Sequence, residues 1–388
     1  MHSWLLPENI EDILPPQAWR LEQARRTALD LFASHGYQLI QPPLIQFLES
    51  LLTGTGRDMR LITFSLVDQL SGRPLGVRAD ITPQAARIDA HLLNRQGATR
   101  LCYAGSVLHT RPASADESRE PFQVGAELFG HAGLEADLEI QRLMLELLAR
   151  LGLSGVLLAL GHVGIFRALA RRAQLDEERE ADLFQALQMK DVPTLRELTV
   201  GLPQEIRTAL EVLPNLYGPR AILEEAVRRL PPYPEIGAAL DALQTLADAL
   251  QEQGTELHFD LAELRGYHYH SGVVFAAYVR QCPRAVAQGG RYDGAGKVFG
   301  RARSATGFSM DLRGLLPLLP ATQPRGAILA PWGGDTALKA RIEELRAAGE
   351  VVVVELPGQE AFRAESGCDR QLVPGEGGWQ VVALRREA

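Results

Sequence analysis

The spacing of apolar side chains changes along the chain and divides it into regions with different predicted structures. A helix is predicted from Pro16 to His35, because apolar residues recur near helical spacing and Gly36 follows them. From Tyr37 onward, short apolar or alternating runs bounded by Gly, Pro and Asp are typical of strands, with two helices between them. The predicted strands are Tyr37–Ile40, Leu61–Val67, Leu75–Ala79, Leu101–Leu108, Phe122–Phe129 and Val156–Leu160, and the predicted helices are Pro83–Asn94 and Glu135–Arg150.

Between about residues 164 and 253 the pattern is almost wholly helical, with leucines and alanines at helical period and prolines between the segments. Because strand-like runs return afterwards, this block indicates a helical insertion into one largely antiparallel core. The predicted helices of the block are Glu177–Met189, Pro193–Leu198, Pro203–Leu213, Arg220–Leu230 and Ile236–Glu252. The later predictions are strands at Leu257–Leu261, Val273–Arg280 and Arg284–Gln288 and a helix at Ser309–Leu319.

The end of the chain has a different period, after a proline-containing linker. A strand, a helix and a second strand follow one another, which predicts a small α/β module with parallel pairing. Its predicted elements are Ala327–Ala330, Thr336–Ala348 and Val351–Glu355, with further short strands at Gln371–Val373 and Gln380–Leu384. The prediction is therefore an α+β protein. Its predicted parts are a core formed by residues 1–163 and 254–320, a helical insertion over 164–253 and a C-terminal module over 325–388.

Composition narrows the class of protein. The 388 residues are 46% hydrophobic and 23% charged, which is ordinary for a soluble globular protein and excludes wholesale disorder. The net charge of −8 makes a nucleic-acid-binding surface a poor expectation. Three scattered cysteines, at 102, 282 and 368, fit neither a disulfide framework nor a zinc site. A signal-peptide layout and a run of about 18 apolar residues are both missing, so we expect a cytoplasmic location and no membrane association.

Two segments carry carboxylates where a ligand could meet them. In Val77–Pro83, Asp80 and Thr82 lie at a strand-to-helix junction, where either could cap the helix or Asp80 could face a ligand ammonium. In the strand beginning at Phe122, Gln123, Gly125 and Glu127 project from one face. They could form a polar floor with room for a ligand above the glycine, or a solvated edge. Periodicity does not decide between these readings.

Two glycine-bounded segments near residue 280 are rich in polar and aromatic groups. Arg265–Gly272 holds two tyrosines and two histidines, and His268 and His270 would share a face if the segment is a strand. Two histidines without a third ligand are weak grounds for a metal site, so we favour a polar-aromatic ligand wall and expect no metal. The second segment, Gln288–Gly294, matches no phosphate-binding loop signature.

Taken together and in order, these segments resemble the class II aminoacyl-tRNA synthetases, and within them histidyl-tRNA synthetase. The resemblance covers roughly residues 5–320 and implies an antiparallel sheet flanked by helices, with an insertion between motifs 2 and 3. Pro43 stands where motif 1 has the proline of the dimer-forming strand, so it is a candidate dimer-interface residue. The matching segments are Gly36–Ile45 (motif 1), Gly105–Pro112 with Arg119 and Phe122–Glu127 (motif 2), Ala305–Arg313 (motif 3), and Arg265–Gly272 and Gln288–Asp293 (stretches special to the histidine enzyme).

The chain departs from this family where ATP would bind. His109 and Arg111 stand where motif 2 has an arginine for the α-phosphate and a glutamate two residues later. Neutral histidine cannot replace a planar, always charged, bidentate phosphate donor. In motif 3, Asp311 holds the glycine position and Gly314 the arginine position, and Arg313 is one residue early, which on a helix rotates it by about 100°. The resemblance therefore implies a degenerate ATP site.

The residues of the amino-acid half of the site match the family's motifs better than those of the ATP half. By resemblance, Asp80 stands where a family glutamate meets the α-ammonium of histidine, and Arg265 where an arginine meets the carboxylate. Thr82, Gln123 and Glu127 stand where the amine and imidazole are held. Tyr269 keeps a family aromatic, while His270 replaces a family tyrosine and His268 a family aspartate. The implied pocket is histidine-like but altered.

The last segment also departs from the synthetases. Residues 325–388 are shorter than the usual anticodon-binding domain and carry eight basic and ten acidic side chains, a poor surface for tRNA. The whole pattern resembles the synthetase paralogues that serve as regulatory subunits of short-form ATP phosphoribosyltransferase. That resemblance implies a chain without catalysis or cofactor, homodimeric within a hetero-oligomer with the catalytic subunit, required for the first step of histidine biosynthesis and transmitting feedback inhibition by L-histidine. The alternatives are a drifted but active histidyl-tRNA synthetase and a structural adaptor without a ligand.

Overall fold

The computed structural model describes residues 5–53, 57–112, 114–115, 117–251, 254–267, 269–294, 296–297, 300–321 and 326–384. The chain divides into two compact units, Met1–Pro320 and Ala321–Ala388. The first unit contains mixed helices and a large sheet, so the predicted α+β class is confirmed. The boundaries proposed for the helical insertion, at 163/164 and 253/254, stay a prediction.

The first unit is built on a nine-stranded sheet with the order β1-β5-β6-β12-β11-β10-β7-β9-β8, beside a three-stranded sheet with the order β2-β4-β3. Neighbouring strands of the large sheet are antiparallel except for β1–β5 and β7–β9, which are parallel. The strands are β1 (Gln38–Leu39), β2 (Ile45–Phe47), β3 (Ser65–Val67), β4 (Pro74–Val77), β5 (Thr99–Ser106), β6 (Phe122–Phe129), β7 (Leu157–His162), β8 (Tyr217–Gly218), β9 (Glu256–Asp260), β10 (Val273–Val279), β11 (Cys282–Arg291) and β12 (Ala305–Asp311).

Helices cover one face of the large sheet and continue into the helical block between β7 and β9. Leu31 and Phe32 of the first helix and Leu147 of the fifth are fully buried against Val124 and Ala126 of β6. The helices of this unit are α1 (Gln17–Ser34), α2 (Leu48–Leu52), α3 (Arg57–Ile62), α4 (Thr82–Arg87), α5 (Leu134–Arg150), α6 (Gly164–Arg172), α7 (Glu177–Gln188), α8 (Val192–Leu198), α9 (Gln204–Val212), α10 (Ala221–Arg229), α11 (Pro234–Gln251) and α12 (Leu312–Leu315). Leucines of the helical block join the same core cluster as the sheet.

The alternation of β6 positions the site. Val124, Ala126 and Leu128 face the helices, so Gln123 and Glu127 face the opposite side of the sheet. Glu127 is paired with Gly307 of β12 on one side and with Leu101 of β5 on the other. The open face of the central strands therefore carries the polar residues.

Two local predictions are wrong. The predicted strand Leu61–Val67 begins as the end of α3 and becomes a strand only at Ser65. The predicted helix Ser309–Leu319 begins as β12, because Ser309 pairs with both Gly125 and Gln288. Sheet pairing in the fold outweighs the leucine spacing that follows. The predicted helix over 83–94 is observed, and α4 continues at Ile88 as a π-helical segment that ends at Leu93.

The second unit is a small α/β module. Its four-stranded sheet has the order β14-β13-β15-β16, in which β13 is parallel to β14 and β15, as the strand–helix–strand pattern predicts. Leu338, Ile342 and Leu345 of α13 are buried against this sheet. Its elements are β13 (Ala327–Ala330), α13 (Thr336–Ala347), β14 (Val351–Val354), β15 (Cys368–Gly375) and β16 (Gly378–Ala383). Across the described ranges of both units, we find no helix that could cross a membrane.

Candidate functional site

A cleft of about 170 Å³ opens on the exposed face of the central strands. A single water needs about 10–15 Å³, so the cleft has room for a small ligand rather than for isolated waters. Six residues singled out from the sequence line it together, although they come from distant parts of the chain. They are Asp80, Thr82, Glu127, Arg265, Tyr269 and His270.

Glu127 lies at the bottom of the cleft and is 1% exposed. Tyr103 donates a hydrogen bond to Oε1 at 3.0 Å, and Tyr292 donates one to Oε2 at 2.5 Å. Burial raises the pKa of Glu127 to about 8, and the two tyrosine hydroxyls offset part of that shift. The carboxyl group is therefore poised to hold or release a proton near neutral pH.

Asp80 is fixed at the cleft wall by its own turn and by Gln123. Its Oδ1 accepts hydrogen bonds from the backbone N–H of Thr82 at 2.9 Å and from Gln123 Nε2 at 2.7 Å. None of the described residues donates a hydrogen bond to Oδ2, so that oxygen is available to a ligand cation. Asp80 organises the turn, but no described side chain caps α4 at its N-terminus, so the expected cap is not observed. The contact of Asp80 with a ligand ammonium stays a prediction.

Gln123 lies beside the cleft lining, and both ends of its amide bind the chain. Nε2 donates to Asp80, and Oε1 accepts a hydrogen bond from the backbone N–H of Ile81 at 2.8 Å. The geometry gives Gln123 a positioning role, and its contact with a ligand stays a prediction. Thr82 bonds the hydroxyl of Tyr103 at 2.9 Å, which links it to Glu127 through that tyrosine.

The glycine between Gln123 and Glu127 does not leave room for a ligand, contrary to our expectation. A Cβ on Gly125 would lie 2.4 Å from the hydroxyl oxygen of Tyr103, so this space is filled by the tyrosine. The close approach falls instead at Gly307 on β12, where a Cβ would lie 1.6 Å from Glu127 Oε2. Gly307 is therefore needed for the position of the buried carboxyl group.

An aromatic wall forms one side of the cleft. The rings of Tyr269 and Tyr292 are stacked with centroids 4.8 Å apart and an interplanar angle of 23°. The hydroxyl of Tyr269 and Nδ1 of His270 are both buried in this wall. Burial lowers the pKa of His270 to about 4, so its ring is neutral at physiological pH. The wall therefore presents neutral aromatic groups to the cleft.

The segment that carries this wall is not a strand. His270 donates its backbone N–H to the carbonyl of Gly266 at 2.8 Å, which closes a turn, so His270 does not lie on a strand as we expected. His268 lies outside the described residues. Among the residues that are described, no group of three or more His, Cys, Asp or Glu side chains could hold a metal ion.

Arg265 supplies positive charge at the cleft. Its Nη2 donates to Glu263 Oε2 at 3.2 Å and to the hydroxyl of Tyr278 at 3.0 Å, and the side chain is half exposed. Glu263 also lines the cleft. The guanidinium is thus held in place while part of it still faces the opening, where it can meet an anionic group.

The motif 2 positions lie apart from this polar lining. His109 forms a hydrogen bond through Nε2 to the carbonyl of Ala79 at 2.9 Å, and Arg111 is exposed. Arg119, further along the loop, donates to the carbonyl of His109 at 3.1 Å and to that of Glu8 at 3.3 Å. His109 and Arg119 therefore bind other parts of the chain, whereas Arg111 faces solvent.

The motif 3 positions are also occupied by internal contacts. Asp311 Oδ1 accepts hydrogen bonds from the backbone N–H of Phe122 at 2.9 Å and of Arg313 at 3.0 Å. A Cβ on Gly314 would lie 2.7 Å from Asp311 Oδ2, so the carboxylate fills the space that a side chain there would need. Arg313 donates to the carbonyl of Glu11 at 2.6 Å and lines a different cavity. The reading of these positions as a former ATP site stays a prediction.

Sequence reasoning missed the two tyrosines that hold Glu127. Tyr103 lies in a strand whose apolar neighbours made it look like core, and Tyr292 lies in a glycine-rich turn. The one signal for Tyr103 is the glycine opposite it, because Tyr103 and Gly125 are register partners. That pairing depends on the strand register, which the sequence does not give.

Comparison with known proteins agrees with this geometry. Residues 9–315 match the family model described as histidyl-tRNA synthetase, and residues 325–382 match the model described as ATP phosphoribosyltransferase subunit HisZ C-terminal domain. Proteins named ATP phosphoribosyltransferase regulatory subunit match across 98% of this chain and 99% of their own length. One from Cupriavidus necator is 58% identical over 381 residues, and one from Burkholderia cenocepacia is 57% identical.

Solved structures of related proteins also match most of this chain. A structure titled ATP phosphoribosyltransferase regulatory subunit/histidyl-tRNA synthetase from Bacillus halodurans superposes with a TM-score of 0.82 at 29% identity, covering 94% of this chain and 96% of that one. Histidyl-tRNA synthetase from Nostoc has a TM-score of 0.76 at 18% identity, covering 98% and 97%, which shows the fold alone.

The fold and the cleft thus define a class II protein of the histidyl-tRNA synthetase type. Its C-terminal module and its relatives along the whole chain narrow this class further. The chain belongs to the family of ATP phosphoribosyltransferase regulatory subunits.

Proposed function

We propose that this chain is a non-catalytic subunit that assembles with the short-form catalytic subunit of ATP phosphoribosyltransferase. In that complex it supports the first step of histidine biosynthesis and transmits inhibition by L-histidine. The observation that carries the proposal is the unequal state of the two half-sites. The amino-acid cleft keeps charged and aromatic groups at its surface, while Asp311 and Arg313 beside it are bound to the chain itself.

The cleft offers complementary groups for each part of histidine. Oδ2 of Asp80 is available for the α-ammonium, and Arg265 for the carboxylate. Glu127 lies deepest, where the imidazole would enter, beside the ring of Tyr269. Because the pKa of Glu127 is about 8, a proton is present there at neutral pH for the carboxyl group and the imidazole to share.

These contacts are sufficient for a metabolite sensor. Binding in the micromolar to millimolar range requires about 4–8 kcal/mol. Charge-assisted hydrogen bonds to Asp80 and Arg265, with a slot for the ring, can supply that amount. Inhibition further requires that histidine bind more tightly to the inactive arrangement of the complex than to the active one.

We also propose that the chain forms homodimers through its synthetase-like core. Pro43 is exposed, and its backbone carbonyl accepts a hydrogen bond from Gln84 Nε2 at 2.9 Å. Three exposed apolar residues surround it, namely Leu39, Leu44 and Ile45. Such a surface is typical of a protein–protein contact.

Reconstitution tests the proposed function. The full chain is mixed with a short-form catalytic subunit, the complex is isolated, and formation of the phosphoribosyl product from ATP is measured with and without histidine. We expect the complex to be more active than the catalytic subunit alone and to be inhibited by histidine. A catalytic subunit that neither binds the chain nor gains activity from it would contradict the proposal.

A further inference from the structure

The acidic groups that line the amino-acid cleft outnumber the basic ones. Among the described lining residues, the carboxyl groups belong to Asp80, Glu127 and Glu263, whereas Arg265 supplies the only guanidinium. His270 also lines the cleft, but its ring is neutral at physiological pH. The proposed binding of histidine uses Asp80, Glu127 and Arg265, so it leaves the carboxylate of Glu263 unexplained.

Glu263 binds Arg265 at two points. Its Oε2 accepts a hydrogen bond from Nη2 of Arg265 at 3.2 Å, and its Oε1 accepts one from the backbone N–H of Arg265 at 2.9 Å. The second hydrogen bond does not involve the guanidinium, so it holds the carboxylate in place whatever the guanidinium contacts. The side chain of Glu263 is 24% exposed, and the ion pair is therefore only partly screened by solvent.

The turn that carries Glu263 packs directly on β7. The backbone N–H of Glu263 donates to the carbonyl of Asp260 at 3.2 Å. A Cβ on Gly161 of β7 would lie 2.8 Å from that carbonyl oxygen and 3.1 Å from Cβ of Glu263, so a glycine at this point lets the turn approach the strand. The position of Glu263 beside Arg265 is thus fixed by the fold.

This position has a consequence for any ligand carboxylate that binds Arg265. Such a carboxylate would lie beside that of Glu263, and the two would share one positive charge and repel each other. The contact would therefore be weaker than a charge-assisted contact with an unpaired arginine. The α-ammonium of the ligand, which we place at Asp80, would not be subject to this repulsion.

We propose that Glu263 is a specificity-determining residue of the cleft, which lowers the affinity for the carboxylate end of an amino acid by competing for Arg265. The inference rests on the proposed binding of histidine in this cleft. Competition of this kind raises the histidine concentration at which the cleft fills, and so sets the range in which a feedback sensor responds. The same charge disfavours ligands that carry more negative charge, such as phosphate esters.

Calorimetry on the full chain tests the proposal with Glu263→Gln. Glutamine keeps an oxygen that can accept the backbone N–H of Arg265, but it removes the charge. We expect Glu263→Gln to bind histidine about fivefold more tightly, the size expected for a half-exposed ion pair. Its affinity for histidinol, in which a hydroxymethyl group replaces the carboxylate, should change by less than about twofold. No gain for histidine, or an equal gain for both ligands, would overturn the inference.

Two matched variants separate charge from other causes. Tyr278→Phe removes a neutral hydroxyl that accepts from the same Nη2 at 3.0 Å, so it frees the guanidinium without changing the charge. We expect it to weaken histidine binding by up to about threefold, and a gain like that of Glu263→Gln would overturn the inference. Glu139→Gln neutralises a glutamate that pairs with Arg100 outside the cleft, and we expect a change of less than about twofold. A fivefold gain there would show that net charge is the cause and would also overturn the inference.

A measurement on the wild-type chain does not depend on the folding of any variant, which circular dichroism reports. Histidine and histidinamide, whose amide replaces the carboxylate, should differ in affinity by less than about tenfold if Glu263 competes for Arg265. A preference for histidine of about 100-fold or more would overturn the inference even if Glu263→Gln does not fold.

The outcomes also separate this inference from the proposed function. If the wild-type chain binds no histidine, both the proposed histidine site and the role of Glu263 are wrong. If the wild-type chain binds histidine and a folded Glu263→Gln binds it no more tightly, the site is retained and only the role of Glu263 is overturned.

Discussion

The two halves of the synthetase-like site differ in what their charged side chains contact. In the amino-acid half, Asp80, Glu127 and Arg265 line the cleft and are held there by neighbouring groups. In the other half, Asp311 and Arg313 bind backbone groups of the chain. The side chains at these motif 3 positions are therefore part of the structure of the chain, and we propose that they no longer serve an ATP site.

The largest predicted effect is on the amino-acid half. We expect Glu127→Ala to weaken histidine binding, measured by calorimetry, by about 100-fold, because it removes the carboxyl group proposed to bind the imidazole and also removes an acceptor of two buried tyrosine hydroxyls. Inhibition of the assembled enzyme should weaken in parallel. The matched control is Glu139→Ala, which removes a glutamate that also accepts from a tyrosine, Tyr37, but lies outside the cleft. If the affinity of Glu127→Ala for histidine is unchanged, histidine binds at another site.

The second prediction concerns pH. The pKa of Glu127 is raised from 4.5 to about 8 by burial, so the folded chain binds this proton more tightly than the unfolded chain. The resulting stabilisation is fully present below pH 4.5 and is lost as pH rises through about 8. Relative to Glu127→Gln, the wild-type free energy of unfolding should fall between pH 5 and 8, by on the order of 1 kcal/mol per pH unit. Urea denaturation of both proteins at several pH values measures this free energy. If the wild type and Glu127→Gln show the same pH dependence, the raised pKa of Glu127 is contradicted.

A smaller effect is expected at the residue that positions Asp80. Gln123→Ala removes the hydrogen bonds to Asp80 and Ile81, which frees the carboxylate to rotate. We expect histidine binding to weaken by about 5- to 10-fold, the equivalent of about one hydrogen bond. If Gln123 also touches the ligand, the loss should approach that of Glu127→Ala, so the comparison of these two variants distinguishes positioning from direct contact.

The smallest effect is expected in the other half-site. Arg111 is exposed, and we expect Arg111→Ala to change histidine affinity by less than about twofold. The same calorimetric titration measures it. A large loss would mean that the motif 2 loop also binds the amino acid. The proposed division of the site into two halves with separate roles would then be wrong.

The sequence predicted correctly those features that depend on the residue pattern of a single strand or helix. The alternation of Phe122–Phe129 is observed, and it places Glu127 on the cleft side. The prediction failed where the structure depends on pairing between distant segments. Ser309 is an example, because its pairing with two neighbouring strands places it in the sheet although the leucines that follow it favour a helix. Tyr103 was missed for the same reason, since its contact with Glu127 across β5 and β6 depends on register.

We propose that this chain retains an amino-acid site but lacks the groups needed to activate the amino acid with ATP. Histidine-dependent exchange of pyrophosphate into ATP measures that directly, with a histidyl-tRNA synthetase as the positive control. We predict no exchange above background, at chain concentrations where the control is fully active and where calorimetry detects histidine bound to the chain. Exchange that depends on histidine would contradict the account.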